Sequence, residues 1–164
     1  MASASNEHIV DAYHVRRRAA LLQGAIHVRT PLNPPGVNPP RGNYVQAVVV
    51  SAPTLVFVSG QVSMDENNTI VGKGDIEAQA RQVFHNLQVV LEAAGSSLHD
   101  IIMWTIYDTD IGAHMETLNR VGREVMGGGG FPASTKVGVT RLSHPDYLVE
   151  IDAVAVVRST PQGA

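Results

Sequence analysis

Residues 75–108 read DIEAQARQVFHNLQVVLEAAGSSLHDIIMWTIYD, and two successive periodicities in them decide the fold. In the first part Ile76, Ala80, Val83, Leu87, Val90, Leu91 and Ala94 recur at the three-and-four spacing of one buried helical stripe. Asp75 stands where a side-chain oxygen can cap the first backbone amides, and Gly95 where a left-handed residue ends the helix. From Asp100 to Asp108 the composition turns β-branched and aromatic, which predicts a strand. Downstream, Ile111 to Met126 predicts a second amphipathic helix with Ile111, Met115, Leu118, Gly122 and Val125 inward. After the connector Gly127–Gly130 come two strands, near Thr135 to Leu142 and Tyr147 to Val157, joined by a turn at residues 143–146.

Upstream of Asp75 the chain supplies two more strands, Tyr44 to Val50 and Thr54 to Val62, with a turn around Ala52-Pro53 and a polar loop from Asp65 to Gly74. The fragment Leu55-Val56-Phe57-Val58 is apolar on both faces, which predicts a strand covered on both sides. The order strand, strand, helix, strand, helix, strand, strand implies an α+β fold, one sheet with both helices on one face. Further out, five of the nine prolines fall between residues 31 and 40, where fixed φ and missing N–H donors predict an extended surface segment. Asn6 to Gln23 reads as a helix ended by Gly24.

Composition narrows the chemistry. A chain of 164 residues with 44% hydrophobic residues is one domain's worth of core, and it has no cysteine, so disulfide, thiolate-metal and cysteine-nucleophile chemistry are excluded. The formal charge of -3 argues against a nucleic-acid partner. No window is apolar for the roughly 18 residues that cross a bilayer, and the segment after Arg16-Arg17-Arg18 is too broken for a secretory leader, so a cytoplasmic location is expected. Of the basic residues only two are lysines, Lys73 and Lys136. Lys73 lies in a glycine-flanked loop.

The last strand carries the oddity. Glu150 and Asp152 point to one face of an otherwise apolar run, Leu148 to Val157. Burial and a second carboxylate raise a carboxyl pKa, and such a pair suits proton transfer; a wet strand face or an inter-subunit ion pair would explain it equally well. Gly127–Gly130 lacks the P-loop pattern and reads as a flexible connector. The seven histidines form no HxH or HExxH pair, so neither a metal nor a cofactor is assigned, and His85 and His114 read as surface or satisfied side chains.

An ordered set of short strings follows the chain: Gly42-Asn43-Tyr44-Val45-Gln46-Ala47, Val58-Ser59-Gly60-Gln61, Asn86-Leu87, Leu118-Asn119, Pro132-Ala133 with Val137-Gly138-Val139, and Val149-Glu150-Ile151-Asp152-Ala153. Over residues 26–158 the chain thereby resembles the RidA family, the YjgF-like enamine/imine deaminases, some of which carry the label L-PSP endoribonuclease. The resemblance implies a chorismate-mutase-like sheet, a homotrimer and a small-molecule pocket at each subunit interface. Residues 1–25 are then an N-terminal extension and 159–164 a tail. It also implies that Glu150 activates the attacking water and that Tyr44, Ser59, Gly60 and Asn119 line the pocket around it.

Two positions depart from the family. Its deaminases have an arginine in a Pro-Ala-Arg-Ser/Thr motif that clamps the substrate carboxylate, whereas this chain reads Pro132-Ala133-Ser134-Thr135, and Asn43 stands where proline usually precedes the tyrosine. A charge-assisted hydrogen bond contributes roughly 1.5–3 kcal/mol, so the missing fork weakens α-carboxylate binding about ten- to a hundredfold. Lys136, two positions on from Ser134 and facing the same way, takes a small pocket-lining position of the family; it supplies a charge without the fork, or is an exposed strand lysine on a bulge. The substrate-binding set is thus Tyr44, Ser59, Gly60, Asn119, Ser134, Thr135 and Lys136. Three functions remain open: an imine or enamine deaminase with altered substrate preference, a non-catalytic ligand-binding or regulatory trimer, and, ranked last, a nuclease.

Overall fold

A computed structural model describes residues 28–36, 39–40, 42–51 and 54–158. The helix read over residues 6–23, the extension 1–25 and the tail 159–164 lie outside the described residues. Within them the elements run β1 (Val28–Leu32), β2 (Ala47–Ser51), β3 (Leu55–Gln61), α1 (Ile76–Ala93), a 3-10 turn (Leu98–Asp100), β4 (Ile101–Asp108), α2 (Ile111–Val125), β5 (Ala133–Gly138) and β6 (Val149–Val156).

The four strands β3-β6-β4-β5 form a mixed sheet in that spatial order. β6 runs antiparallel to both neighbours, while β4 and β5 are parallel, a pairing that needs the crossover supplied by α2. β1 and β2 form a separate antiparallel pair, Arg29 opposite Val50 and Leu32 opposite Ala47. Pro31 is extended and exposed, as the proline-rich reading expects, and the structure adds that it sits within β1: a two-stranded ribbon leaves each strand an open edge on which a missing N–H costs no ladder bond.

Helix α1 starts where the sequence puts it. The Asp75 carboxylate accepts from the Glu77 and Ala78 amides at 3.0 and 3.1 Å, and Gly95 ends the helix with φ 74°. Ala80, Val83, Phe84, Leu87 and Leu91 are buried, whereas Val90, expected inward, is exposed. In α2 the buried residues are Leu118, Val121 and Gly122, and Met115 faces out, against expectation. The buried Gly122 faces Asn43 and the Phe84 ring, and a Cβ there would lie at ordinary contact distances of 3.6 and 3.9 Å from them. Glu77 and Arg81 of α1 interlock with Arg120 and Glu124 of α2 through N···O distances of 2.6–3.2 Å.

Both helices cover one face of the sheet, where Val58, Trp104, Ile106, Val149, Ile151, Ala153 and Ala155 form the core with α1 and α2. The Trp104 and Phe84 rings meet edge to face at 5.9 Å. The opposite face is bare in the single chain. Phe57 is 76% exposed, and Leu55, Met103 and Val137 are exposed beside it. The expectation that Leu55–Val58 is covered on both sides therefore fails within one chain, since both helices lie on the same side.

Candidate functional site

Each strand alternates between these two faces, so register decides which side chains meet. In β6, Glu150 pairs with Tyr107 and Asp152 with Thr105 of β4; Thr105 and Tyr107 pair in turn with Thr135 and Val137 of β5. Glu150, Asp152, Tyr107, Thr105 and Thr135 consequently share the bare face. Between β3 and β6 the register shifts after Val58, so that Ser59 and Gly60 together oppose Asp152 in a bulge. The bulge brings Gly60 under Glu150: a Cβ there would lie 1.9 Å from Oε1 of the carboxylate. Phe57, Ser59, Gly60, Asp152 and Val154 line a shallow depression alongside.

The two carboxylates differ in their surroundings. Asp152 is tied down, accepting from the Thr105 amide at 3.2 Å and from the Tyr107 hydroxyl at 3.0 Å. That bond and the Asp152 charge push the Tyr107 phenol above its ordinary pKa. The Glu150 carboxyl is raised as well, by burial first and by the Asp152 charge second. Asp152 is thus the anchored carboxylate, and Glu150, seated over Gly60, is the one whose pKa burial raises.

Other sequence-predicted residues occupy the helix side. Ser134 pairs with Trp104 and Lys136 with Ile106, so both point away from Glu150. Asn119 belongs to α2, and its carbonyl accepts from the Asn43 side chain at 2.5 Å. Tyr44 sits next to Val45, which bridges to Ala133 at the outer edge of β5. The predicted set thus falls into two halves on opposite faces: Glu150, Ser59, Gly60 and Thr135 on the bare one, Asn119, Ser134 and Lys136 on the other, with Tyr44 at the β5 edge.

Several residues that hold this arrangement escaped the sequence reading. The buried Gln79 donates to the Gly72 and Asp146 carbonyls at 3.1 and 2.7 Å and accepts from the Leu148 amide at 2.8 Å, fixing the entry to β6. Asn86 donates to the Val62 and Met64 carbonyls at 3.0 and 2.9 Å and so fixes the exit from β3. For Gln79 a polar residue in a helix adjoining a core is the only signal the sequence offered; Asn86 was quoted within the family strings, without the role it plays here. Tyr107 was hidden because its partner Asp152 is 45 positions away in sequence. Among the described residues no three His, Asp or Glu side chains gather to hold a metal ion, and no helix is long and apolar enough to cross a membrane.

The family described as Endoribonuclease L-PSP matches residues 36–157. The chain belongs to this family, the YjgF/Rid proteins. A RutC family protein of Pyrococcus horikoshii is 40% identical over 116 residues, 71% of this chain and 88% of that protein. The 3-aminoacrylate deaminase RutC of Acinetobacter baylyi is 36% identical over 130 residues, 76% of this chain and 94% of that protein. Among solved structures, the Rid family protein YyfB of Yersinia pestis superposes with a TM-score of 0.73 at 29% identity, covering 79% of this chain and 98% of the other. The α+β fold read from the sequence is that of these Rid neighbours.

Proposed function

We propose that this Rid protein hydrolyses an enamine or imine to a carbonyl compound and ammonia, at sites completed between copies of the chain in a homotrimer. The observation that carries the reading is the Glu150 carboxyl: partly desolvated, raised in pKa, seated on the glycine bulge and flanked by an anchored Asp152. The deaminase activity in the printed name of the Acinetobacter relative supports the same reaction class.

In the mechanism, ionised Glu150 accepts a proton from water as its oxygen adds to the planar C=N carbon. The C=N π pair moves to nitrogen, giving a tetrahedral carbinolamine. Glu150 returns the proton to nitrogen, then takes the hydroxyl proton and passes it to the same nitrogen as the C–N bond breaks, so that ammonia leaves and the carbonyl forms. The balance is imine plus water to carbonyl plus ammonia. General acid–base help of this kind is worth about 10² to 10⁴ in rate, and imines already hydrolyse in water, so little more is needed. An enamine enters the route after protonation on carbon.

The division of the site residues between two faces of one sheet supports completion by a second copy, and the bare apolar face around Phe57 supports trimer formation. Ser134 in place of the family's arginine removes the forked clamp, which favours substrates whose anion is placed elsewhere or absent. That same serine favours the second reading, a binding or regulatory trimer without turnover.

The test couples an amino-acid oxidase, which generates iminoacids in place, to trapping of the imine by semicarbazide. The deaminase reading expects less trapped product when the protein is present, and Glu150→Gln should abolish the effect. Unaltered trapping across several amino acids and a panel of enamines would leave only the binding reading.

A further inference from the structure

Lys136 stands in a setting that an ordinary strand lysine does not occupy. Its Nζ is buried and has no hydrogen-bond partner, and the same is true of Oδ2 of Asp108. The two are too far apart to pair, although the Asp108 charge reaches the amine. The other oxygen of Asp108 is fully used: it accepts from the Asp110 amide at 2.9 Å and lies 2.7 Å from Nδ1 of His114, in the first turn of α2. Lys136 itself lies on β5, the outer strand of the sheet, two residues after Ser134 on the same side. Lys73, by contrast, is exposed and paired to Asp146 at 3.0 Å.

An ammonium buried without a carboxylate or carbonyl to receive its protons is costly, and the cost falls when the group is a neutral amine. Burial accordingly lowers the Lys136 pKa, with the Asp108 charge opposing it. A neutral, desolvated lysine amine is a nucleophile toward carbonyl and imine carbons. His114 is oriented through Nδ1 by the buried Asp108 carboxylate.

We infer that Lys136 is a Schiff-base residue, which attacks the C=N or C=O carbon of the ligand and binds it covalently. This rests on the deaminase reading for the ligand class, small imines and their carbonyl products. The Lys136 amine adds to the iminium carbon, a proton moves from Nζ to the substrate nitrogen, and ammonia leaves with its bonding pair, giving a protonated Schiff base on Nζ. Water then adds to that carbon and gives up a proton, the bond to Nζ breaks, and the carbonyl product and the free amine are regenerated. The sum is again imine plus water to carbonyl plus ammonia. Such a covalent link would hold a ligand that lacks an arginine clamp.

The experiment uses the full wild-type chain with pyruvate, and separately propanal as an uncharged probe, each with sodium cyanoborohydride at neutral pH. Reduction fixes any Schiff base, and peptide mass mapping compares Lys136 with Lys73, the only other lysine. An ordinary lysine, with a pKa of about 10.4, is overwhelmingly protonated at neutral pH, so lowering the pKa enlarges the reactive fraction, and labelling of Lys136 should exceed that of Lys73. Labelling of Lys136 at or below the level of the more exposed Lys73, with both probes, overturns the inference. The imine-trapping assay on the same sample separates the two ideas. Faster imine loss without a Lys136 adduct retains the deaminase and discards the covalent step. A Lys136 adduct without faster imine loss retains the Schiff-base residue and discards the deaminase. Lys136→Arg should remove the label.

Discussion

The carboxylate of Glu150 fills the space that a side chain on residue 60 would need, its Oε1 lying 1.9 Å from where a Cβ of Gly60 would be. The β3 bulge and the Glu150 carboxylate of β6 are therefore one device. Bulges next to active sites re-aim side chains, and here the bulged glycine admits one.

Gly60→Ala tests that relationship. The group it strikes is the flexible end of a side chain, so Glu150 swings aside while the sheet remains. The expected outcome is a melting temperature close to wild type with imine hydrolysis reduced about 10²-fold or more, the scale of lost acid–base help. Wild-type turnover in a folded Gly60→Ala protein would show that the position of Glu150 over the bulge is unimportant.

The raised pKa of Glu150 gives a signed pH dependence. The folded state favours the neutral acid, so ionised Glu150 opposes folding above its folded pKa, and this opposition fades as pH falls through that value toward the unfolded one. Glu150→Gln, neutral throughout, should melt higher than wild type at neutral pH and converge with it in acid. Thermal melts from pH 7 to about pH 3, below the unfolded glutamate pKa, check this. A variant less stable than wild type at neutral pH would contradict it.

The bare face around Phe57 bears on assembly. A charge placed there leaves the core untouched, since Phe57 is 76% exposed in the single chain. If copies associate through this face, Phe57→Glu should lower the mass measured by light scattering from that of three chains to that of one, with the far-UV spectrum retained. An unchanged trimer mass would place the contact elsewhere.

The Glu77–Arg81–Arg120–Glu124 network predicts acid and salt sensitivity. Hydrogen bonds from Arg120 and then Arg81 hold the Glu77 pKa down at about 2, from an ordinary 4.5. Its contribution to stability is present above the unfolded value and is lost as pH falls from about 4.5 toward 2. Urea melts should show Glu77→Gln less stable than wild type at neutral pH, the gap narrowing in acid and in high salt, because exposed pairs are screened. A gap that ignored both would mean that the network joins α1 to α2 by packing alone.

The elements were legible where local chemistry suffices. Asp75 and Gly95 bracket α1 because a cap oxygen and a left-handed glycine act on their nearest amides, which the sequence specifies directly. Val90 and Met115 were misplaced because the way a helix turns its stripe toward its neighbours is set by tertiary contacts, which the apolar stripe alone does not record. Pro31 is at the surface as read, but its pairing with Val48 of β2 was not legible, because it depends on residues some twenty positions away.

By itself the sequence determined that Glu150 and Asp152 share a face, since alternation along one strand is a property of the backbone. Only the tertiary structure decided which face that is, that Tyr107 and the Thr105 amide immobilise Asp152 while Glu150 lies on Gly60, and that Lys136 looks the other way. Strand register and the stacking of both helices on one side are long-range choices. They settle which group is desolvated, and desolvation is what turns an acidic or basic side chain into a reagent.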